Sequence, residues 1–363
     1  MRDHLERFLA PHGTEYEDLR REVDDSFGEP RLVVAAGSVL QGFGNSASDV
    51  DLHAVVDDGR VTDFHVSFHD RGFSVDVNYV EETWIKDAAA RPLVPPRTRP
   101  EWKDEQRRLT QLGRFALGLP LAGRDDWLAW RLDAASAFAA HAAWWWRAEA
   151  LRFRVAAELL VPAKPLLAAQ RYCDAGLAAL DAVAAAAGEA YVGTKWLGLK
   201  LTRLGRCDLL ADHTRFLSLP RSPAEAPDYV AWARGALDAL TAGWAGPAEP
   251  VVHVTPAPGT QVWKVRSSYL VQRLGLAGLE LTPNAPGAPG APGGPTAAAA
   301  VDGVMTWSGP VSALPEETRE LLLAGLLWLA VTAAEPGETT PGETAPGQTA
   351  PGQAAPGGVE GTA

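Results

Sequence analysis

Two aspartates stand one residue apart at the head of an otherwise apolar run, Asp49-Val-Asp-Leu-His-Ala-Val-Val56. On a β-strand, residues i and i+2 point to one face, so the two carboxylates project together. The run is rich in valine and ends at Asp57-Asp58-Gly59, which predicts a strand over Val50–Val56. An unpaired charge inside a sheet costs several kcal/mol. A chain with this feature must therefore bring the head of a buried strand to a cleft, where water or a counter-charge can reach it.

The flanking residues extend the pattern. Arg31–Ala36 reads as a buried strand, and Gly37-Ser38 follows it directly, with ten residues between Ser38 and Asp49. A Gly-Ser pair after a strand lets the backbone approach an anion closely. The serine hydroxyl and the N–H groups of a following helix start can hold phosphate oxygens. Downstream, Phe64–Phe68 and Phe73–Val80 are joined by His69-Asp-Arg-Gly72 and read as a hairpin. In its second strand Ser74, Asp76 and Asn78 share one face, and Val75, Val77 and Tyr79 the other. Asp76 is thus a third carboxylate in an apolar strand. Asp49, Asp51 and Asp76 are the candidate catalytic and metal-ligating residues, with two Mg²⁺ ions as the expected cofactor. Hard carboxylate oxygens suit such cations, and three of them suit phosphoryl or nucleotidyl transfer.

This stretch resembles the nucleotidyltransferase superfamily that includes DNA polymerase beta. The superfamily pattern is a hydrophobic residue, Gly, Gly or Ser, a gap of about nine to thirteen residues, Asp, a hydrophobic residue, Asp or Glu, and a later Asp on another strand. Gly37, Ser38, Asp49, Asp51 and Asp76 match it, and the resemblance covers residues 14–80. It implies an NTP, expected to be ATP, bound over Gly37 and Ser38, and transfer of its NMP to a hydroxyl of a small molecule or protein with release of pyrophosphate. By the same resemblance Ser48 would touch the triphosphate; otherwise it is an ordinary turn serine. Gly37-Ser-Val-Leu-Gln-Gly-Phe-Gly44 is also similar to terminal uridylyl and poly(A) polymerases, while Gln41 stands where minimal members of the superfamily commonly carry Arg. The plan resembles most the antibiotic (aminoglycoside-type) nucleotidyltransferases. A long helix over 164–187, then Gly188-Glu-Ala-Tyr191 and Thr194-Lys195-Trp196-Leu197, carry that likeness. It implies a lysine for the phosphates, Lys164 or Lys195 (Arg171 being a further cation), and a carboxylate base, Glu149 or Glu158. The alternative for each is a solvated face of an amphipathic helix. His53 either supports a metal carboxylate or packs in the sheet. Trp144-Trp145-Trp146 spans about 300° of a helix, so core packing is the expectation for it.

Composition sets the limits. The net charge of −12 argues against an extended nucleic-acid surface. It weighs against an RNA-terminal nucleotidyltransferase, which stays as one alternative; a non-catalytic, partner-recruiting protein with a transferase-like core is the other. The two cysteines, Cys173 and Cys207, lack metal-ligand spacing and are expected to be buried thiols. The first residues carry no leader-like apolar run, and the longest apolar run, Leu321–Ala334, is too short for a membrane span, so the expected location is cytoplasmic.

The expected fold class is α/β: a nucleotidyltransferase core with a small mixed β-sheet over 1–100, an α-helical bundle over 101–245, and a small C-terminal α+β module over 250–332. In the core a first helix is expected over 14–28. In the bundle helices are expected over 127–160, 165–187, 195–204 and 223–242. In the module strands are expected at 251–254 and 261–265 and helices at 267–274 and 314–331, giving a winged-helix-like plan interrupted by a Pro/Gly/Ala linker over 283–300. The Pro-Gly repeats of residues 333–363 have nothing apolar to bury and read as a disordered tail.

Overall fold

A computed structural model describes residues 1–27, 30–59, 66–70, 72–244, 250–265, 268–273, 279–281 and 305–332. The expected linker and tail lie outside the described residues.

The first sheet has five strands: β1 (Leu32–Ala36), β2 (Val50–Val56), β3 (Val66–Asp70), β4 (Phe73–Glu81) and β5 (Leu119–Gly123), in the order β3-β4-β2-β1-β5. β2 and β4 run parallel and the other pairs antiparallel, so the sheet is mixed, as expected. All five residues of β1 are buried. Val33 and Ala35 face one core, with Leu5 and Leu9 of α1 (Arg2–Leu9) and Leu19 and Val23 of α2 (Tyr16–Phe27). Leu32 and Val34 face another, with Ile85 of α3 (Glu82–Ala90), Leu109 and Phe115 of α4 (Arg99–Ala116), and Trp127 and Phe138 of α5 (Asp125–Leu160). A strand covered on both faces reads as a continuous apolar run.

Four elements here were not individually expected: α1, α3, α4 and β5. α1 is short and half charged, and Leu5 and Leu9, four residues apart, seat it with Phe8 beside them. β5 carries Pro120 in an alanine-rich context, yet it returns to this sheet from beyond residue 100. As an edge strand it tolerates proline, and the β1–β5 register shifts at Val33/Val34, opposite Pro120.

The helical bundle follows. α5 is 36 residues long, roughly 54 Å, and serves three cores in succession along its length. Its first half, Trp144 and Trp145 included, packs on the sheet, as expected of core tryptophans. Ala150 and Ala157 pack on α6 (Pro165–Ala186), and Leu151, Val155 and Leu159 on the C-terminal segment. α7 (Leu197–Arg203), the unexpected α8 (Cys207–Leu217) and α9 (Ala226–Thr241) surround α6. Phe216 of α8 sits where Gly176 leaves room: a Cβ there would lie 2.4 Å from its ring. Cys173 is buried in this core, but Cys207, at the start of α8, is exposed, so only one of the two expected buried thiols is buried.

The C-terminal segment holds β6 (Val251–Pro256), β7 (Thr260–Val265), β8 (Ser268–Arg273), β9 (Leu279–Leu281), β10 (Trp307–Pro310), α10 (Glu316–Leu323) and β11 (Leu327–Thr332). They make two antiparallel sheets, β10-β6-β11 and β7-β8-β9. Two helical expectations fail. The one over 267–274 is the central strand β8, with Val271 in the core. The helix expected over 314–331 stops after Leu323, because Gly325 takes a left-handed φ of +76°. β11 then buries both faces: Leu327, Leu329 and Val331 one way, Trp328 and Ala330 the other. An apolar run of that kind does not distinguish strand from helix. Among the described residues, no helix is long and apolar enough to cross a membrane.

Candidate metal centre

Three strand ends build the site. Asp49 precedes β2 by one residue and shares a face with Asp51. The parallel register of β2 and β4 sets Asp51 directly beside Asp76. Val50, Leu52, Val75 and Val77 face the α1–α2 core. The alternation therefore sends all three carboxylates to the opposite face, the one covered by α3 to α5. Each aspartate offers a carboxylate oxygen, and these oxygens lie within 4.8 Å of one another. Asp51 and Asp76 are half-buried.

Gly37 closes this end. Its neighbour Ala36 is the antiparallel partner of Asp51, so the chain turns directly over that carboxylate. Its φ is +88°, and a Cβ would stand 2.1 Å from Asp51 Oδ2. Both the left-handed backbone and the close approach exclude a side chain. The helix start expected after Ser38 is instead a pair of tight turns. The Ser38 carbonyl accepts from the N–H groups of Phe43 and Gly44, at 2.9 and 3.0 Å, and Val39 O accepts from Gly42. Ser48 caps the following turn: its Oγ accepts from Asn45 N at 2.9 Å.

The helical bundle reaches the site through residues that the sequence reasoning did not single out. Phe43 is buried between the Trp196 ring, stacked at 5.3 Å, and the Arg203 guanidinium, 4.2 Å from its centroid. Arg203 also donates to the Gln41 carbonyl at 2.5 Å and pairs with Glu189. Tyr191 lies 6.0 Å from Phe43. Burial first, and then the charge of Asp51, raises its hydroxyl above the ordinary tyrosine range, while Arg114 on α4 works the other way. Tyr191 therefore stands in the field of the carboxylates. The sequence signal for this wall was the pair of segments after the long helix, Gly188–Tyr191 and the Lys-Trp segment, to neither of which it gave a residue role beyond Lys195.

The other expected residues divide. The Lys195 ammonium lies 4.8 Å from the Trp196 ring, on the wall that packs against Phe43. Lys164 is at the far end of α6, whose 22 residues span roughly 33 Å, and it donates to the Leu323 carbonyl of α10. The structure does not bring it to the carboxylates. Glu149 accepts from Trp102 at 2.8 Å and forms a two-pronged pair with Arg152. Glu158 takes the same kind of pair from Arg234 and a hydrogen bond from Tyr172. Arg171 pairs with Asp174. Glu149 and Glu158 thus tie neighbouring helices together, while Arg171 is paired within its own helix. His53 is fully buried, edge-on to Phe115 at 6.1 Å, in the sheet core.

No family model and no curated protein matches the chain. Among solved structures, it is similar to a nucleotidyltransferase-like protein from Exiguobacterium sibiricum 255-15. The identity is 14%, over 61% of this chain and 74% of that one, with a TM-score of 0.36. That likeness is coarse, and the three carboxylates are weighed on their own geometry.

Proposed function

We propose that the protein is a metal-dependent nucleotidyltransferase. It moves an NMP, with ATP the expected donor, to a hydroxyl of a small molecule or protein and releases pyrophosphate. The observation that carries this reading is the meeting of three carboxylate oxygens within 4.8 Å under a glycine that contacts one of them. Such a donor set, all hard oxygen and open on one side, fits divalent cations of the Mg²⁺ class. Asp49 and Asp51 would hold both ions and Asp76 the one on the acceptor side. Bound there, such ions neutralise triphosphate charge and lower the pKa of an attacking hydroxyl.

The chain's own residues orient the reactants. Gly37 and Ser38 let the triphosphate lie close to the backbone, with Ser48 and Lys195 as further contacts. Tyr191, within electrostatic reach of Asp51 and Asp49, would face the reacting groups. The acceptor oxygen attacks the α-phosphorus, the bond to the bridging oxygen breaks, and pyrophosphate leaves. Asp76 takes the hydroxyl proton, since Glu149 and Glu158 are held in ion pairs elsewhere.

The test is pyrophosphate release from each of the four NTPs with Mg²⁺, offered a metabolite extract or an RNA pool, with Asp49→Ala and Asp51→Ala as controls. Acceptor-dependent release that both variants lose supports the reading and separates a small-molecule acceptor from RNA. Absence of release with every acceptor, together with NTP binding indifferent to both substitutions, overturns it.

A further inference from the structure

A second concavity lies on the outer side of the glycine loop. It measures about 360 Å³ and is lined by His4, Arg7 and Phe8 of α1, by His12 just after it, and by loop residues that include Asn45 and Ser46. Pockets from about 300 Å³ upward hold small ligands. In a chain with a net charge of −12, none of the lining residues is a carboxylate, and the titratable ones are an arginine and two imidazoles.

The local hydrogen bonds leave this wall rich in donors. Arg7 Nε donates to the Asp3 carbonyl at 3.2 Å and Nη2 meets His4 Nδ1 at 2.8 Å. A guanidinium only donates, so Nδ1 is the acceptor and the His4 ring proton sits on Nε2. Burial, and behind it the charges of Arg7 and Arg203, holds His4 below the ordinary histidine range, in keeping with that tautomer. The guanidinium has five N–H donors, of which two serve these bonds. Asn45 Oδ1 accepts from Ala47 N at 2.9 Å, so its amide group remains as the donor end. Ser46 adds a hydroxyl at the rim. The loop meets Asp51 at Gly37 and the His4 ring at Gly42, where a Cβ would stand 2.7 Å from the imidazole. The pocket and the carboxylates thus share one short loop.

We propose that this pocket is an anion site that takes phosphoryl oxygens, with Arg7 as the principal ligand and His4, Asn45 and Ser46 as supporting donors. A planar guanidinium with an open edge suits two oxygens of one phosphate. Two sources of that chemistry fit: the distal end of a nucleoside triphosphate whose α-phosphate lies at the aspartates, or a separate phosphorylated molecule.

The probe is sodium tripolyphosphate, titrated calorimetrically into the full chain in EDTA, so the metal centre plays no part. The wild type and Asp51→Asn should bind it alike, and Arg7→Glu should lose at least tenfold. Arg7 is exposed, so an unchanged melting temperature controls for folding. Mg·ATP then separates the sources. A tenfold weakening in Arg7→Ala with AMP binding unchanged identifies the distal phosphates. Unchanged Mg·ATP binding with tripolyphosphate binding lost identifies a separate ligand. Absence of tripolyphosphate binding in the wild type, or equal binding by Arg7→Glu, overturns the proposal. The transferase reading fails separately, through turnover indifferent to Asp49 and Asp51.

Discussion

Replacing Gly37 by alanine should disable the metal centre without unfolding the protein. Two costs arise at this one position. A φ of +88° is left-handed, which costs an L-residue roughly 1–2 kcal/mol. The new methyl would also stand 2.1 Å from Asp51 Oδ2, so the carboxylate must retreat by more than about 1 Å to reach ordinary contact. A 1 Å misplacement of a reacting group can cost about 100-fold in rate, or about 2.7 kcal/mol at 1.36 kcal/mol per decade. Gly205 separates the two effects. Its φ is +67°, but a Cβ there meets nothing within 4 Å, so Gly205→Ala carries the strain alone. Urea unfolding should show similar losses of about 1–2 kcal/mol for both variants. Titration with Mn²⁺, followed by the shift in melting temperature, should show at least tenfold weaker binding for Gly37→Ala only. Combining Gly37→Ala with Asp51→Asn should weaken binding little beyond Asp51→Asn, because both act on one carboxylate. If Gly37→Ala binds Mn²⁺ within twofold of wild type, the close approach of Gly37 to Asp51 does not position the ligand set.

Lys200 and Asp181 form a fully buried pair at 2.6 Å, so Lys200→Met should cost about 3–5 kcal/mol in urea unfolding, and adding Asp181→Leu should recover most of it. Burial raises the Asp181 pKa and Lys200 opposes it, so without Lys200 burial acts unopposed and the folded variant holds the Asp181 proton more tightly than the unfolded chain does. That contribution is present below the unfolded carboxylate range and lost as pH rises, so the Lys200→Met deficit should be smaller at pH 4 than at pH 7; a pH-independent deficit would argue against a stranded charge. Phe43→Ala should cost about 3–5 kcal/mol, since it empties the space between Trp196 and Arg203, and a loss below 1 kcal/mol would mean the bundle docks without it. In native protein one thiol, Cys207, should react promptly with a disulfide reagent, whereas Cys173, buried and pushed up to about 11, should wait for unfolding; prompt reaction of both would contradict its packing.

The legible parts of this chain were those in which local pattern and environment agree. Strand β2 was read to the residue, because seven apolar-rich positions sit between an acidic head and an Asp-Asp-Gly stop. α5 and α6 were legible from alanine density, and their break from two prolines. The aspartate pair and the third carboxylate were visible because a charge in an apolar strand demands a reason.

What escaped the sequence depends on partners far along the chain. β5 is a strand only because β1 offers it an edge, and β8 only because β7 and β9 flank it. β11 looked helical because it is covered on both faces, which removes the alternation that marks a strand. The failed expectations for Lys164, Glu149 and Glu158 have one cause: a charged residue on a helix has the same local signature whether it faces a substrate or another helix. The amino-acid order by itself determined which carboxylates could share a face, since that follows from the two-residue period of a strand. Tertiary structure alone decided that Asp51 and Asp76 stand side by side, that Gly37 lies over one of them, and that Tyr191 and Trp196 pack on Phe43 beside them. Those facts depend on strand register and helix docking, which are set by packing between segments as far as 162 residues apart rather than by any local pattern.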